Sequence, residues 1–258
     1  MIDLRRNSNL PGLLVSVRNE AEALTALSAG AEVIDVKEPN HGSLGAADSA
    51  TIAAVVRSID GRAIVTAAMG ELIDVVGPGP LSKLAPVPTG VALFKLGLAD
   101  CARRPNWRAE WRDAISLLRG NGSNSPLPVA VVYADWQAAS APRPDEILDT
   151  AVQLHCPALL VDTWSKTNGD LFTHWPATEL EAYIDRVRSK GIAVVLAGAL
   201  AGDSFERAVQ LRPDLVAVRG AACVQGRSGA VSAEKVRNLK KSIAAAVALS
   251  ASATATRA

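Results

Sequence analysis

Four charged residues fall where apolar chain would be expected to continue, and a fifth lies in the loop after the last of them. Asp35 and Lys37 close the run Val33-Ile34-Asp35-Val36-Lys37. Lys95 interrupts Leu93-Phe94-Lys95-Leu96-Gly97, Asp162 ends the run from Ala158, and Lys166 follows four residues later. Gathered in one dry pocket, such amines and carboxylates support imine chemistry. A lysine that has lost its proton attacks a carbonyl, and the imine then acts as an electron sink for carbanion formation; desolvation and neighbouring cations make the free amine available. Nearby carboxylates or a second amine move the protons. Lys37, with Lys95 and Lys166 close by, meets the first need, and Asp35 and Asp162 meet the second. The choice of base is itself informative. Lysine supplies only eight of the 27 basic residues, yet it is the base at position 95, where a buried charge without a partner is costly. Arginine cannot give up its proton; lysine can.

Each residue alone has a plainer explanation. A lysine at a strand end is more often a solvated tip with its stem lying over apolar surface. An aspartate there is more often the N-cap of the next helix, and Asp162 before Thr163 has that reading open to it. The set, rather than any member, carries the chemistry.

The elements that must position these side chains are legible as short apolar runs, most followed by a stretch with helical spacing. The runs are Leu13–Val17, Val33–Lys37, Ala63–Gly70, Ala92–Leu98, Leu127–Asp135, Ala158–Thr163, Ala193–Leu200 and Leu215–Gly220. Helices are expected over Asn19–Ala29, Ala47–Ser58, Trp107–Leu118, Asp145–Leu154, Glu179–Ser189, Ser204–Leu211 and Ala233–Leu249, with a longer loop after Gly70. Eight such units in 258 residues fit a single-domain α/β fold, a (β/α)8 TIM barrel of about 250 residues. A doubly wound open sheet competes with it, because alternation alone does not show closure. The expected organisation is an N-terminal arm over 1–12, the barrel over 13–249 and a disordered tail over 250–258. In barrel enzymes the C-terminal ends of the strands form the active-site face. Asp35 and Lys37 are two apart, so their side chains share a side, and strands two, four, six and eight share the parity that brings inward layers together.

Glycines mark an anion site. Ala197-Gly198-Ala199 follows the seventh strand, and Arg219-Gly220-Ala221-Ala222 follows the eighth. Loops there commonly hold phosphate on backbone N–H groups. Gly198, Arg219, Gly220 and Ala221 are therefore the candidate phosphate binders, although each glycine alone reads equally as a tight turn.

Bulk properties narrow the partners. A net charge of +1 argues against nucleic acid or an anionic membrane, so electrostatic attraction of a ligand must be local. No run approaches the length of a membrane span, and MIDLRRNSNLPG is not followed by the apolar stretch of a signal peptide. Cys101, Cys156 and Cys223 are widely spaced and read as reduced thiols of a cytoplasmic protein. His41, His155 and His174 lack metal-ligand spacing, no metal is expected, and no dinucleotide or ATP loop is present. His41, in the loop after Lys37, reads as solvated. Trp107 and Trp111 read as packing on a helix with a solvated arginine-rich face. A homo-oligomer is left open.

At these same residues the chain resembles the family of (5-formylfuran-3-yl)methyl phosphate synthase, also called 4-(hydroxymethyl)-2-furancarboxaldehyde-phosphate synthase. The matching strings are LLVSV, AGAEVIDVKEPNHGSLGA, FKLGL, LLVDTWSKTNGDLF, LAGAL and DLVAVRGAAC, in order from Leu13 to Cys223. The resemblance implies a (β/α)8 barrel lyase, acting in methanofuran synthesis, that converts two glyceraldehyde 3-phosphates into a furan aldehyde phosphate without a metal or organic cofactor. It implies that Lys37 forms the imine, that Lys95 accepts the proton, and that Asp35, Asp162 and Lys166 assist. The stretch after Gly70 and that from Trp107 to Pro126 match the family poorly. Another Schiff-base aldolase for a phosphorylated sugar would use the same pocket. A non-catalytic sensor of a phosphorylated metabolite would keep the glycines but have no need of two desolvated lysines.

Overall fold

The apolar runs form strands because both of their faces find cover. In the computed structural model, which describes residues 10–76, 85–122 and 124–255, they are β1 (Gly12–Val17), β2 (Val33–Val36), β3 (Ile64–Glu71), β4 (Leu93–Gly97), β5 (Leu127–Tyr133), β6 (Ala158–Asp162), β7 (Ala193–Leu196) and β8 (Leu215–Val218). They pair in parallel in chain order, and β8 closes onto β1. A sheet buried on both faces needs apolar residues at nearly every position. In β5, Val129 and Val131 point into the barrel while Ala130 and Val132 pack against the surrounding helices. Closure settles the choice against an open sheet.

Around the barrel run α1 (Glu20–Ser28), α2 (Ser49–Ile59), α3 (Leu72–Val76), α4 (Trp107–Arg119), α5 (Pro144–Gln153), α6 (Leu171–His174), α7 (Ala177–Ser189), α8 (Gly202–Gln210) and α9 (Ala233–Ala255). In α4 the buried residues are Trp107, Trp111, Ala114, Ile115 and Leu118, spaced by three and four as an amphipathic helix requires. Trp107 and Trp111 lie 6.2 Å apart between ring centroids, and Arg108 covers the outer face of Trp107 at 4.5 Å. The two tryptophans are packing, as expected. Asn19 caps α1 by accepting the Glu22 N–H at 3.0 Å, which satisfies one otherwise orphaned amide.

Several boundaries differ from those read in the sequence. The strand of the second unit stops at Val36, one residue before Lys37, and β7 and β8 stop at Leu196 and Val218. Their remaining apolar residues belong to the turns that line the barrel mouth. Short helices α3 and α6 were not anticipated; four or five residues are too few to show helical periodicity. Helix α9 runs to Ala255, beyond the expected end at Leu249. Residues 1–9 of the expected arm, 256–258 of the expected tail and 77–84 of the expected loop lie outside the described residues. Among the described residues no helix is long and apolar enough to cross a membrane.

Register carries polar side chains to the C-terminal mouth. Ser16 on β1 stands beside Asp35 on β2, which stands beside Thr66 on β3. Ala68 is level with Lys95 on β4, and Tyr133 on β5 is level with Asp162 on β6.

Candidate active site

A cavity of about 290 Å³ opens at that mouth, lined by Asp35, Lys37, Lys95, Asp162, Lys166 and Arg219 among others. All six had been singled out from the sequence, and the barrel brings them to one place. Their environments then divide them.

Asp35 is fully engaged. One carboxylate oxygen accepts from Ser16 Oγ at 3.0 Å; the other accepts from Thr66 Oγ1 at 2.7 Å and pairs with Lys95 Nζ. Lys95 Nζ also reaches Thr66 Oγ1 at 3.4 Å. Both charged residues are buried, and removing either would leave an uncompensated charge out of water. Gly97 closes this strand without a side chain because a Cβ there would collide with the Glu71 carboxylate, which accepts from Ala99 N at 2.9 Å and Tyr133 Oη at 2.5 Å.

Lys37 sits differently. It is buried, yet among the described residues its ammonium has one long contact, 3.4 Å to the Ser43 carbonyl oxygen. Burial lowers its pKa from 10.5 to about 8; the charge of Asp162 opposes this, Lys166 reinforces it, and Asp35 and Lys95 act more weakly in the same opposing senses. Desolvation dominates because the amine lacks the close partners that would repay it. Asp162 instead serves Lys166, whose Nζ lies 2.6 Å from Asp162 Oδ1 and 2.5 Å from the Thr163 carbonyl oxygen. Burial pushes the Asp162 carboxyl up, but Lys166 and Lys37 outweigh it and hold the carboxyl below its ordinary range.

The loop after β2 ties the two halves. Glu38 N donates to Gly45 O at 2.9 Å, and a Cβ at Gly45 would strike the Glu38 carbonyl and His41. This closed loop carries Ser43 across the mouth, where its hydroxyl reaches Asp162 Oδ2 at 3.1 Å and the Thr163 carbonyl oxygen at 3.0 Å. His41 is exposed at the loop surface.

Arg219 requires a correction. A guanidinium has five N–H donors, and protein acceptors take all five: Arg227 O at 2.9 Å, Ser16 O at 3.0 Å, Glu22 Oε2 at 2.5 Å, Glu22 Oε1 at 3.2 Å and Gly229 O at 2.8 Å. Burial raises the Glu22 pKa, but hydrogen bonds from Arg219 and Arg18 overcome it and hold the carboxyl low. Arg219 locks β8, β1, α1 and the 227–229 turn together, and its side chain has no donor left for phosphate. Gly198, Gly220 and Ala221 do line the cavity. Gly198 has φ +103° with Thr163 Cγ2 3.0 Å from where a Cβ would stand, so only glycine suits that turn.

Five participants were not singled out from the sequence. Ser16 and Thr66 are polar interruptions of apolar strands, a signal that was present, and Ser43 lies in a loop that gives none. Asp135, buried at the end of β5, accepts from Trp164 N at 2.7 Å and Ser165 N at 2.9 Å and so holds the turn carrying Lys166. Arg227 lines the cavity from a polar turn. The three cysteines are buried and free. Among the described residues no three of His, Cys, Asp and Glu are gathered to hold a metal ion.

A closed eight-stranded barrel with lysines and aspartates at the C-terminal strand ends defines a (β/α)8-barrel enzyme. The family model for 4-HFC-P synthase matches residues 13–240, and the chain belongs to that family. It is similar to the (5-formylfuran-3-yl)methyl phosphate synthase of Methanopyrus kandleri, 31% identical over 236 residues that cover 91% of this chain and 99% of the relative. The protein of the same name from Methanosarcina mazei is 30% identical, covering 88% and 97%. Among solved structures, phosphoribosyl anthranilate isomerase from Thermotoga maritima superposes with a TM-score of 0.58 at 14% identity, covering 92% of this chain and all of that one. Thiamine phosphate pyrophosphorylase from Pyrococcus furiosus does so at 0.58 and 14%, covering 95% and 99%. These last two likenesses show the fold alone.

Proposed function

We propose that this enzyme is a lyase that joins two molecules of glyceraldehyde 3-phosphate into (5-formylfuran-3-yl)methyl phosphate, releasing phosphate and water, through an imine on Lys37. The observation that carries the reading is the state of that amine: buried, with one long hydrogen bond, and beside two cations. Family membership and the names of the relatives support the product.

The Lys37 amine attacks the aldehyde of one triose, and water leaves as the imine forms. Loss of the α proton, taken by Lys95 or its partner Asp35, gives an enamine that expels phosphate from C3, and the α carbon of the second triose, as its enediol, bonds to that C3. The oxygen on C2 of the imine-bound triose then closes the ring onto the aldehyde carbon of the second triose; two waters leave, and hydrolysis of the imine frees Lys37 and the formyl group of the aromatic product. Asp162 and Lys166 form the second acid–base pair, placed across the cavity from the first. Gly198, Gly220 and Ala221 offer backbone amides to a phosphate group. The product would feed a methanofuran-type one-carbon carrier in the cytoplasm.

The test is incubation with glyceraldehyde 3-phosphate, reduction with borohydride and peptide mapping, alongside product analysis. The reading expects an adduct on the Lys37 peptide and an ultraviolet-absorbing furan aldehyde. An open-chain aldol would instead show a sugar aldolase. Normal turnover by Lys37→Ala would end the imine mechanism.

A further inference from the structure

The cavity needs a cation for its phosphate that Arg219 does not supply. Arg227 is half-buried and lines the same cavity. Its Nη2 donates to Pro39 O at 3.0 Å and Gly42 O at 3.1 Å, which leaves its Nε and Nη1 donors. Among the described residues no carboxylate forms an ion pair with it. Its place is itself built: Arg219 Nε holds the Arg227 carbonyl at 2.9 Å. Gly220 stands against it, since a Cβ there would meet Arg227 N at 3.6 Å. A guanidinium kept half out of water without a counter-ion, its back fixed on two carbonyls and its remaining edge free, is arranged for an anion.

We propose that Arg227 is the side chain that binds the phosphate group of the triose phosphate, and that through Pro39 and Gly42 it couples phosphate binding to the loop following Lys37. This rests on the reading of the cavity as a triose phosphate site. Arg219 acts behind it as a positioning residue. Burial lowers the Arg227 pKa, with Asp162 opposing and Arg219 reinforcing, consistent with a charge that gains from a bound dianion.

The experiment is isothermal titration of the full chain with inorganic phosphate, for the wild type, Arg227→Gln and Arg227→Lys. Melting curves for each variant check that it is folded. Losing a hydrogen bond to a charged group weakens binding by about ten- to a hundredfold. Arg227→Gln is expected to fall in that range, with Arg227→Lys between it and the wild type. Phosphate is expected to slow hydrogen exchange over residues 38–45 in the wild type and not in Arg227→Gln. Equal affinity in wild type and Arg227→Gln, or no phosphate binding by the wild type, overturns the assignment. Exchange over 38–45 that ignores phosphate overturns the coupling. The two readings fail separately. Phosphate binding lost in Arg227→Gln by a protein that makes no furan removes the synthase reading alone. A furan synthase whose Arg227→Gln variant saturates at the wild-type triose phosphate concentration removes the phosphate role alone.

Discussion

Lys37 and Arg219 are two cations at one barrel mouth, 8% and 6% exposed, and they have opposite fates. Arg219 has a protein acceptor for every donor and a carboxylate, Glu22, in bidentate contact. Lys37 has one long hydrogen bond, and Asp162, the carboxylate whose charge acts on it most strongly, is taken by Lys166. A buried cation with a full set of partners holds the fold together. One left short of partners is held ready to lose its proton. Burial alone does not separate the two roles; the count of partners does.

The comparison can be broken most forcefully at Arg219. Arg219→Met leaves the buried Glu22 carboxylate to Arg18 alone and takes the Arg219 donors from the Ser16, Arg227 and Gly229 carbonyls. Breaking a buried pair costs about 3–5 kcal/mol, less what Arg18 retains. A large fall in the denaturant midpoint is expected, against Glu22→Gln/Arg219→Met as the rescue that removes both charges.

Lys37→Met should act with the opposite sign on stability while abolishing imine formation. The folded-state pKa of Lys37 is lowered from 10.5 to about 8, so at neutral pH the folded protein holds a proton under penalty. Between those two values the unfolded chain binds more protons than the folded one, and wild-type stability rises with pH. Lys37→Met should therefore be more stable than wild type at pH 7, by up to about 3 kcal/mol at 1.36 kcal/mol per pKa unit. The gap should shrink above pH 8 and be lost above pH 10.5. Thermal melts across that range measure it, and a Lys37→Met variant less stable than wild type at pH 7 would contradict the account of an under-partnered amine.

Asp162→Asn sharpens the contrast without touching either cation. It removes the main charge that opposes the drop in the Lys37 pKa, so the pH profile of imine formation should move to lower pH. Turnover should still fall, by about 10²–10⁴ for a lost acid–base group. Smaller again is Asn19→Ala at the cap of α1, the helix that carries Glu22. It should cost about 1 kcal/mol and leave the Lys37 profile where it was.

The lysine and aspartate cluster of this site was legible in the sequence because Asp35, Lys37, Lys95 and Asp162 are charges set at the ends of apolar strands, a contradiction that only a pocket resolves. The barrel was legible because each run had apolar residues on both faces. Lys166 followed from its spacing to Asp162. What one dimension concealed was the partner count. Arg219 beside Gly220 carries the local signature of a phosphate site, but its acceptors come from β1, α1 and the 227–229 turn, and Glu22 is 197 residues away. Arg227 was hidden for the converse reason, because an arginine in a polar turn looks solvated until the fold closes over it. The helices α3 and α6 were too short to show a period.

The central claim is that the Lys37 amine gives up its proton near pH 8 instead of near 10.5, so that a reactive fraction is already free at neutral pH. Competitive acylation of the folded protein over a pH series, read out on the Lys37 peptide by mass spectrometry, tests it without any assumption about substrate. The account predicts a midpoint near pH 8. A midpoint at the ordinary lysine value of 10.5 would contradict it.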